Sequence, residues 1–311
     1  MIILTSIGIF GDMNIILASV KNKSLRTPCH IFIASNAFCD MLPQIGLYIP
    51  VFLTLSGINY MELQICWFIE VIPYCGMNAA VIFTLSTGVD RLYSVLMPMN
   101  YNSAQKSYYL LIMLLLPCLY AILWATLTYI AMKGQPHNQV VCGVTTLIVS
   151  SLSQYNFYAT IGISLLVLVV YGATWVIAKK LGSKMIGQLL KPLTIIMIVV
   201  TLTYPMSYIL LAIINVVVPA DRVVTFRMTT FLLVCLGYAA NFFVLFTFSK
   251  DYKTAFRQQL SWMIKSWSNN IQVMPTVFEH SRNSRRTTEP KSIGSTARVL
   301  TRVQSTRSSA I

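Results

Sequence analysis

Residues 108–132 read YYLLIMLLLPCLYAILWATLTYIAM, 25 consecutive positions without a charged side chain. A helix rises about 1.5 Å per residue, so this stretch can cross a hydrocarbon core of about 30 Å. No water reaches the backbone there, and the stretch must be a helix that bonds its own amides. Working outward, comparable apolar runs occupy residues 29–56, 66–96, 145–178, 192–218 and 223–248, with a shorter one at 2–20. Seven crossings are expected in an all-α membrane bundle, and an odd number leaves the chain ends on opposite sides.

Composition and charge agree. Of 311 residues, 56% are hydrophobic and 10% charged, against about a quarter charged in soluble proteins, and mean hydropathy is +0.68. The net charge of +14 invites a nucleic-acid reading, but its distribution follows topology. With the C-terminal tail in the cytoplasm, all Lys and Arg but Lys133, Arg222 and Arg227 fall on the cytoplasmic side. The positive-inside rule then sets the N-terminus outside and the C-terminus inside, and no nucleic-acid partner is expected. No basic n-region or small-residue cleavage site marks residues 1–20, which suits a signal anchor. That run begins at residue 2, so either ligand contacts come from helices and loops or further residues precede Met1.

The expected organisation is a seven-crossing domain at 1–249, an amphipathic juxtamembrane helix at 250–267 and a basic cytoplasmic tail at 268–311. In the second segment Tyr252, Phe256, Leu260, Ile264 and Trp267 fall near one face, with Lys253, Arg257, Gln258 and Lys265 elsewhere, a pattern that lies along a membrane surface. The tail is rich in Ser, Thr and Arg. It reads as disordered, drawn to anionic membrane lipid, or as a kinase and arrestin target at Thr287, Thr301 and Ser305.

Several landmarks keep fixed spacings. Asp90-Arg91-Leu92 closes the third run, followed by Pro98 and Tyr101; Cys66-Trp67 begins 25 residues before Arg91. Cys142 is the only Cys between the fourth and fifth runs. Asn36-Ala37-Phe38-Cys39-Asp40 lies in the second run, Tyr204-Pro205 in the sixth, and Asn241 stands nine residues before Lys250. This set resembles the rhodopsin-like G-protein-coupled receptors over residues 1–265. In detail, Gly-x-x-Gly-Asp-Met-Asn-Ile at 8–15, Lys-Ser-Leu-Arg at 23–26, Val-Asp-Arg-Leu at 89–92 and Asn-Phe-Phe-Val at 241–244 are similar to nematode serpentine chemoreceptors of the Srsx type.

The resemblance implies roles. Cys66 and Cys142 would form an outer disulfide; the alternative is two free thiols. Cys29, Cys39, Cys75, Cys118 and Cys235 read as small buried hydrophobes. Arg91 would contact the tail of a heterotrimeric G protein once the sixth helix moves outward, and Asp90 would hold it at rest; the alternative is an ordinary snorkelling arginine. No acid stands at the cytoplasmic end of the sixth helix, where Ser183-Lys184-Met185 is found, so the resting state is expected to rest on Asp90 alone. Pro205 would be the hinge of the sixth helix. Thr203 stands where many relatives have Trp, and Phe242 and Leu245 replace the Pro and Tyr after Asn241.

Asp12 and Asp40 are the only carboxylates expected deep in the membrane, at roughly 2.5–3.5 kcal/mol each on insertion scales. With Asn241 they would converge as a switch that shares a proton or binds a sodium ion at Asp40, or as a purely structural polar cluster. Ala80 and Gly237 occupy positions where the family often supplies polar ligands, which argues against sodium. No other cofactor is expected.

For the ligand, Glu70, Tyr74, Met77 and Asn78 on the third helix, Tyr155 and Tyr158 on the fifth, and Tyr204 and Tyr208 on the sixth are candidates; interfacial belts and core packing are the other reading of the tyrosines. Pro73, where amine receptors carry an Asp, argues against a biogenic amine. A small, weakly polar molecule is expected, with a neuropeptide as the alternative ligand. A solute carrier lacks support in internal repetition. An enzyme is not expected, since His30, His137 and His280 lie outside the membrane core.

Overall fold

The structure is a computed structural model that describes residues 2–58, 60–97, 101, 106–147, 150–180 and 220–261, with isolated positions between 195 and 217. Among the described residues it is helical apart from one pair of two-residue strands brought together from distant parts of the chain. Helices α1 (Ile2–Lys21), α2 (Pro28–Gly46), α3 (Tyr48–Leu55), α4 (Leu63–Leu96), α5 (Lys106–Lys133), α6 (Ser150–Lys180) and α7 (Ala220–Phe248) follow in chain order. A last helix, α8 (Lys250–Ser261), is bent by 103° from the end of α7.

Length and composition suit a bilayer. Ile2–Lys21, Pro28–Leu55, Leu63–Leu96, Tyr108–Lys133 and Gln154–Lys180 are each long and apolar enough to span one, and Leu233–Phe248 qualifies together with α8. The expected sixth crossing at 192–218, including Tyr204, Pro205 and Tyr208, lies largely outside the described residues, as do residues 262–311. The outward faces are apolar. On α5, Leu111, Leu115, Leu119, Ile122 and Ile130 are all exposed, an arrangement that water would punish and lipid tails accept.

Local sequence sets the helix ends. Pro28 opens α2, where its missing N–H costs nothing. Pro50 has no N–H to return to the carbonyl of Gly46, so the second crossing breaks at Leu47 and resumes as α3. Gly57, at φ +78°, turns the chain after α3. At this end β1 (Met61–Glu62) pairs antiparallel with β2 (Gln139–Val140), Met61 facing Val140.

The long α4 is the axis of the bundle and packs against α2, α5 and α6, while α1 packs against α2 and α7. Small residues permit close approach. A Cβ at Gly76 would lie 2.8 Å from the carbonyl oxygen of Cys39, and one at Gly11 would lie 2.7 Å from Cβ of Phe242. α8 folds back on aromatic packing. Phe256 lies 4.8 Å from Phe242 and 5.5 Å from Tyr252 between ring centroids, and Tyr252 and Phe256 are buried.

Candidate functional site

Among the described residues, three polar constellations interrupt this apolar bundle, at one end of α4, midway along it, and toward its other end. At the Arg91 end, the Asp90 carboxylate is fully buried and the Arg91 side chain only 13% exposed. Arg91 donates to Asp90 Oδ2 through Nε at 3.0 Å and Nη2 at 2.5 Å. The hydroxyls of Tyr101 and Tyr109 both donate to Asp90 Oδ1 at 3.2 Å. With Tyr93 these two rings form an aromatic cluster, centroids 5.9 to 6.5 Å apart. Burial pushes the Tyr101 phenol up to about 12, which keeps its proton available for donation.

Asp90 therefore does not hold Arg91 alone. Its second oxygen is tied to the loop after α4 and to the start of α5, and Tyr109 gave no signal in the sequence beyond being an interfacial aromatic. Tyr171 of α6 is buried against Gly88, one turn from Arg91, and its hydroxyl has no hydrogen-bond partner among the described residues. His30 stands in the first turn of α2. It is buried, with Nδ1 2.6 Å from Thr27 Oγ1 and its ring 5.6 Å from that of Tyr252.

Midway along the bundle, Asp12, Asp40 and Asn241 are buried and linked. Asp40 Oδ2 accepts from Asn36 Nδ2 at 2.7 Å and from Asn241 Nδ2 at 3.1 Å. The joint to Asp12 is a residue the sequence reading missed. Gln44 Nε2 donates to Asp12 Oδ2 at 2.6 Å and to the carbonyl of Asp40 at 3.0 Å. Thr84 Oγ1 extends the network to α4, donating to Asn36 Oδ1 at 3.4 Å. Gln44 lies one helical turn beyond Asp40 on the same face, so its spacing was readable in principle. Asp12 Oδ1, Gln44 Oε1 and Asn241 Oδ1 are buried acceptors without a hydrogen-bond donor among the described residues. Hard oxygens of this kind suit a proton, a water or a sodium ion, while Ala80 contributes only a methyl group.

Toward the other end, Cys66 and Cys142 form the disulfide, with Cα atoms 5.4 Å apart. It ties the segment just after β2 to the Cys66 end of α4, where Trp67 Nε1 donates to Thr128 Oγ1 at 3.3 Å. Below it Glu70 and Tyr74 are fully buried, and Met77 and Asn78 nearly so. Glu70 is thus a third deep carboxyl, beyond the two expected. Tyr155 and Tyr158 require a correction. They are 69% and 66% exposed on the outer face of α6, so they match the interfacial-belt reading and not a wall of the bundle interior. Among the remaining thiols Cys29, Cys39 and Cys235 are buried, Cys75 is partly so, and Cys118 is exposed on the apolar face of α5.

The sequence pattern of the serpentine-type seven-transmembrane G-protein-coupled chemoreceptors designated Srsx matches residues 5–260. The chain belongs to the Srsx family. No curated protein sequence matches it. Membership accounts for the sixth crossing and makes the chain a multi-pass membrane receptor, of a receptor family and not an enzyme family. In this Srsx receptor the Asp90–Arg91 pair and the Cys66–Cys142 bridge sit at opposite ends of α4.

Proposed function

We propose that this Srsx chain is a plasma-membrane chemosensory receptor with its N-terminus outside and its C-terminus in the cytoplasm. A small molecule binds in the Cys66 half of the bundle, and occupancy is passed to a heterotrimeric G protein at the Arg91 end. The observation that carries the reading is the closed arginine lock. A guanidinium held by an adjacent buried carboxylate, itself gripped by two tyrosines, is a device that can be opened. On this reading the described geometry is the resting state. Activation frees Arg91 to meet the G protein, and the buried Tyr171 hydroxyl nearby is a group it can then satisfy. The Asp12, Gln44, Asp40 and Asn241 cluster is the switch between the halves, holding a shared proton or a sodium ion.

G-protein dissociation in cells expressing the full chain tests this, with volatiles, water-soluble small molecules and peptides applied separately. Ligand-evoked dissociation that Arg91→Ala abolishes at equal surface level is the expected result. Concentrative uptake of a probe without any G-protein response would refute it.

A further inference from the structure

Two basic segments from opposite ends of the sequence meet where α1 ends and α8 begins. Lys21 closes α1, and Lys23 and Arg26 follow in the loop that leads to α2. Lys250, Lys253 and Arg257 recur at i, i+3 and i+7 along α8 and so share one stripe of that helix. The opposite stripe, Tyr252, Ala255, Phe256 and Gln259, is buried. Lys253 is partly buried, and the other five cations are exposed. Among the described residues no acid lies within ion-pair distance of Lys23, Arg26, Lys250, Lys253 or Arg257.

Packing makes these segments one surface. Ser19 of α1 and Tyr252 of α8 share a buried hydrogen bond, their hydroxyl oxygens 3.2 Å apart, although 233 positions separate them in sequence. Lys21 and Lys253 each stand within two residues of that joint. Arg26 donates through Nη2 to the carbonyl of Val20 at 2.9 Å, which draws it back over the end of α1. Buried Leu25 anchors the loop between them. Acids do not offset the charge: Asp90 is buried against Arg91, and Asp251 lies about 100° round α8 from Lys250. Like charges held this close favour an anionic partner.

Depth selects the partner. Only residues 22–27 join α1 to α2, and α8 turns by 103° from α7 to run across the end of the bundle. The cations are therefore held at the level of lipid headgroups and do not reach out into the cytosol. The stripe from Lys250 to Arg257 covers about 10 Å along α8. One polyvalent headgroup meets all of it, whereas singly charged lipids would each have to be immobilised separately. We propose that this surface binds the headgroup of an inner-leaflet phosphoinositide that carries several phosphates, with α8 on one side of it and the loop after α1 on the other. The bound lipid clamps α8 in its docked position. The inference rests on the proposed topology for the leaflet that supplies the lipid, and not on the ligand or the G protein.

The test uses the purified full chain in mixed micelles, with thermal stabilisation read against added phosphatidylinositol bisphosphate. Phosphatidylserine at matched charge, free inositol trisphosphate and hexaglutamate are the comparison probes. The bisphosphate lipid should half-saturate at a concentration at least about tenfold below that of phosphatidylserine. Lys23→Glu with Arg26→Glu, and Lys253→Glu with Arg257→Glu, should each weaken it at least about tenfold. Lys179→Glu with Lys180→Glu, exposed at the end of α6, changes net charge equally and should leave it within about twofold. Gln in place of Glu carries the test should a reversed pair not fold, with a loss of at least about fivefold. Phosphatidylserine acting equally, a loss confined to one of the two segments, or an equal loss at α6 would each overturn the inference. Tighter binding of hexaglutamate would also overturn it, in favour of an acidic protein segment, and so would inositol trisphosphate binding as tightly as the lipid. A micelle has no sides, so a failure here and a failure of the topology are read separately.

Discussion

Replacing Asp90 by Asn isolates the charge that holds Arg91. The carboxylate accepts two N–H groups from Arg91 and one hydroxyl from each of Tyr101 and Tyr109. Asn keeps one oxygen for the tyrosines but removes the charge that strengthens the arginine contacts. A hydrogen bond to a charged group contributes about 1.5–3 kcal/mol, and each 1.4 kcal/mol is a factor of ten. Asp90→Asn should thus shift the balance between resting and active states by about tenfold to a hundredfold toward active. Tyr109→Phe removes one donor to the same charged carboxylate, about 1.5–3 kcal/mol, and should shift it in the same direction by no more than Asp90→Asn does. The assay is ligand-free G-protein dissociation, normalised to antibody-counted receptors at the surface. Basal activity in Asp90→Asn equal to wild type, or a larger effect from Tyr109→Phe than from Asp90→Asn, would refute the lock.

Other perturbations probe the frame. Cys66→Ser or Cys142→Ser should cost about 2–5 kcal/mol and lower surface delivery, read by antibody on intact cells. Gly76→Ala forces a Cβ to within 2.8 Å of the Cys39 carbonyl; a loss of about 1–3 kcal/mol should appear as a lower melting temperature in detergent, whereas an unchanged temperature would mean that α2 and α4 slide freely. Asp40→Ala strands the amides of Asn36 and Asn241 and should destabilise by about 2–4 kcal/mol; if sodium occupies the cluster, replacing sodium by choline should lower the melting temperature of wild type and leave Asp40→Ala unmoved. A tag after Ile311 should be reached by antibody only in permeabilised cells.

The crossings were legible because a bilayer leaves the backbone no alternative to helix, and apolar run length alone reports it. The landmarks at Asp90, Arg91, Cys66 and Asp40 were legible because their mutual spacing is rigid along α2 and α4. What could not be read were partners brought together from distant segments. Tyr109 lies 19 residues from Asp90, and nothing local distinguishes it from Tyr108, which is exposed on the same helix. Tyr155 and Tyr158 were misplaced for the same reason, since a tyrosine near a helix end is equally at home facing lipid or facing the bundle. The burial of Glu70 was missed because it depends on Gly46, a residue on another helix.

Glu70 and Asp90 are 20 residues apart on one helix, about 30 Å, so a rigid α4 by itself transmits nothing between them. A two-state element must lie in between. The chain from Thr84 through Asn36 and Asp40 to Asn241 joins α4, α2 and α7 at mid-depth, and it crosses the bundle where α4 would have to rotate or shift. Asn36→Ala cuts it on both sides without touching Glu70 or Arg91. If the chain couples the two ends, Asn36→Ala should change basal signalling, and in combination with Asp90→Asn its effect should fall short of the sum by 0.5 kcal/mol or more, the size at which neighbouring sites depart from additivity. The measurement is a double-mutant cycle on ligand-free G-protein dissociation. Strict additivity of the two substitutions would separate the mid-bundle cluster from the arginine lock and leave it a structural joint between three helices.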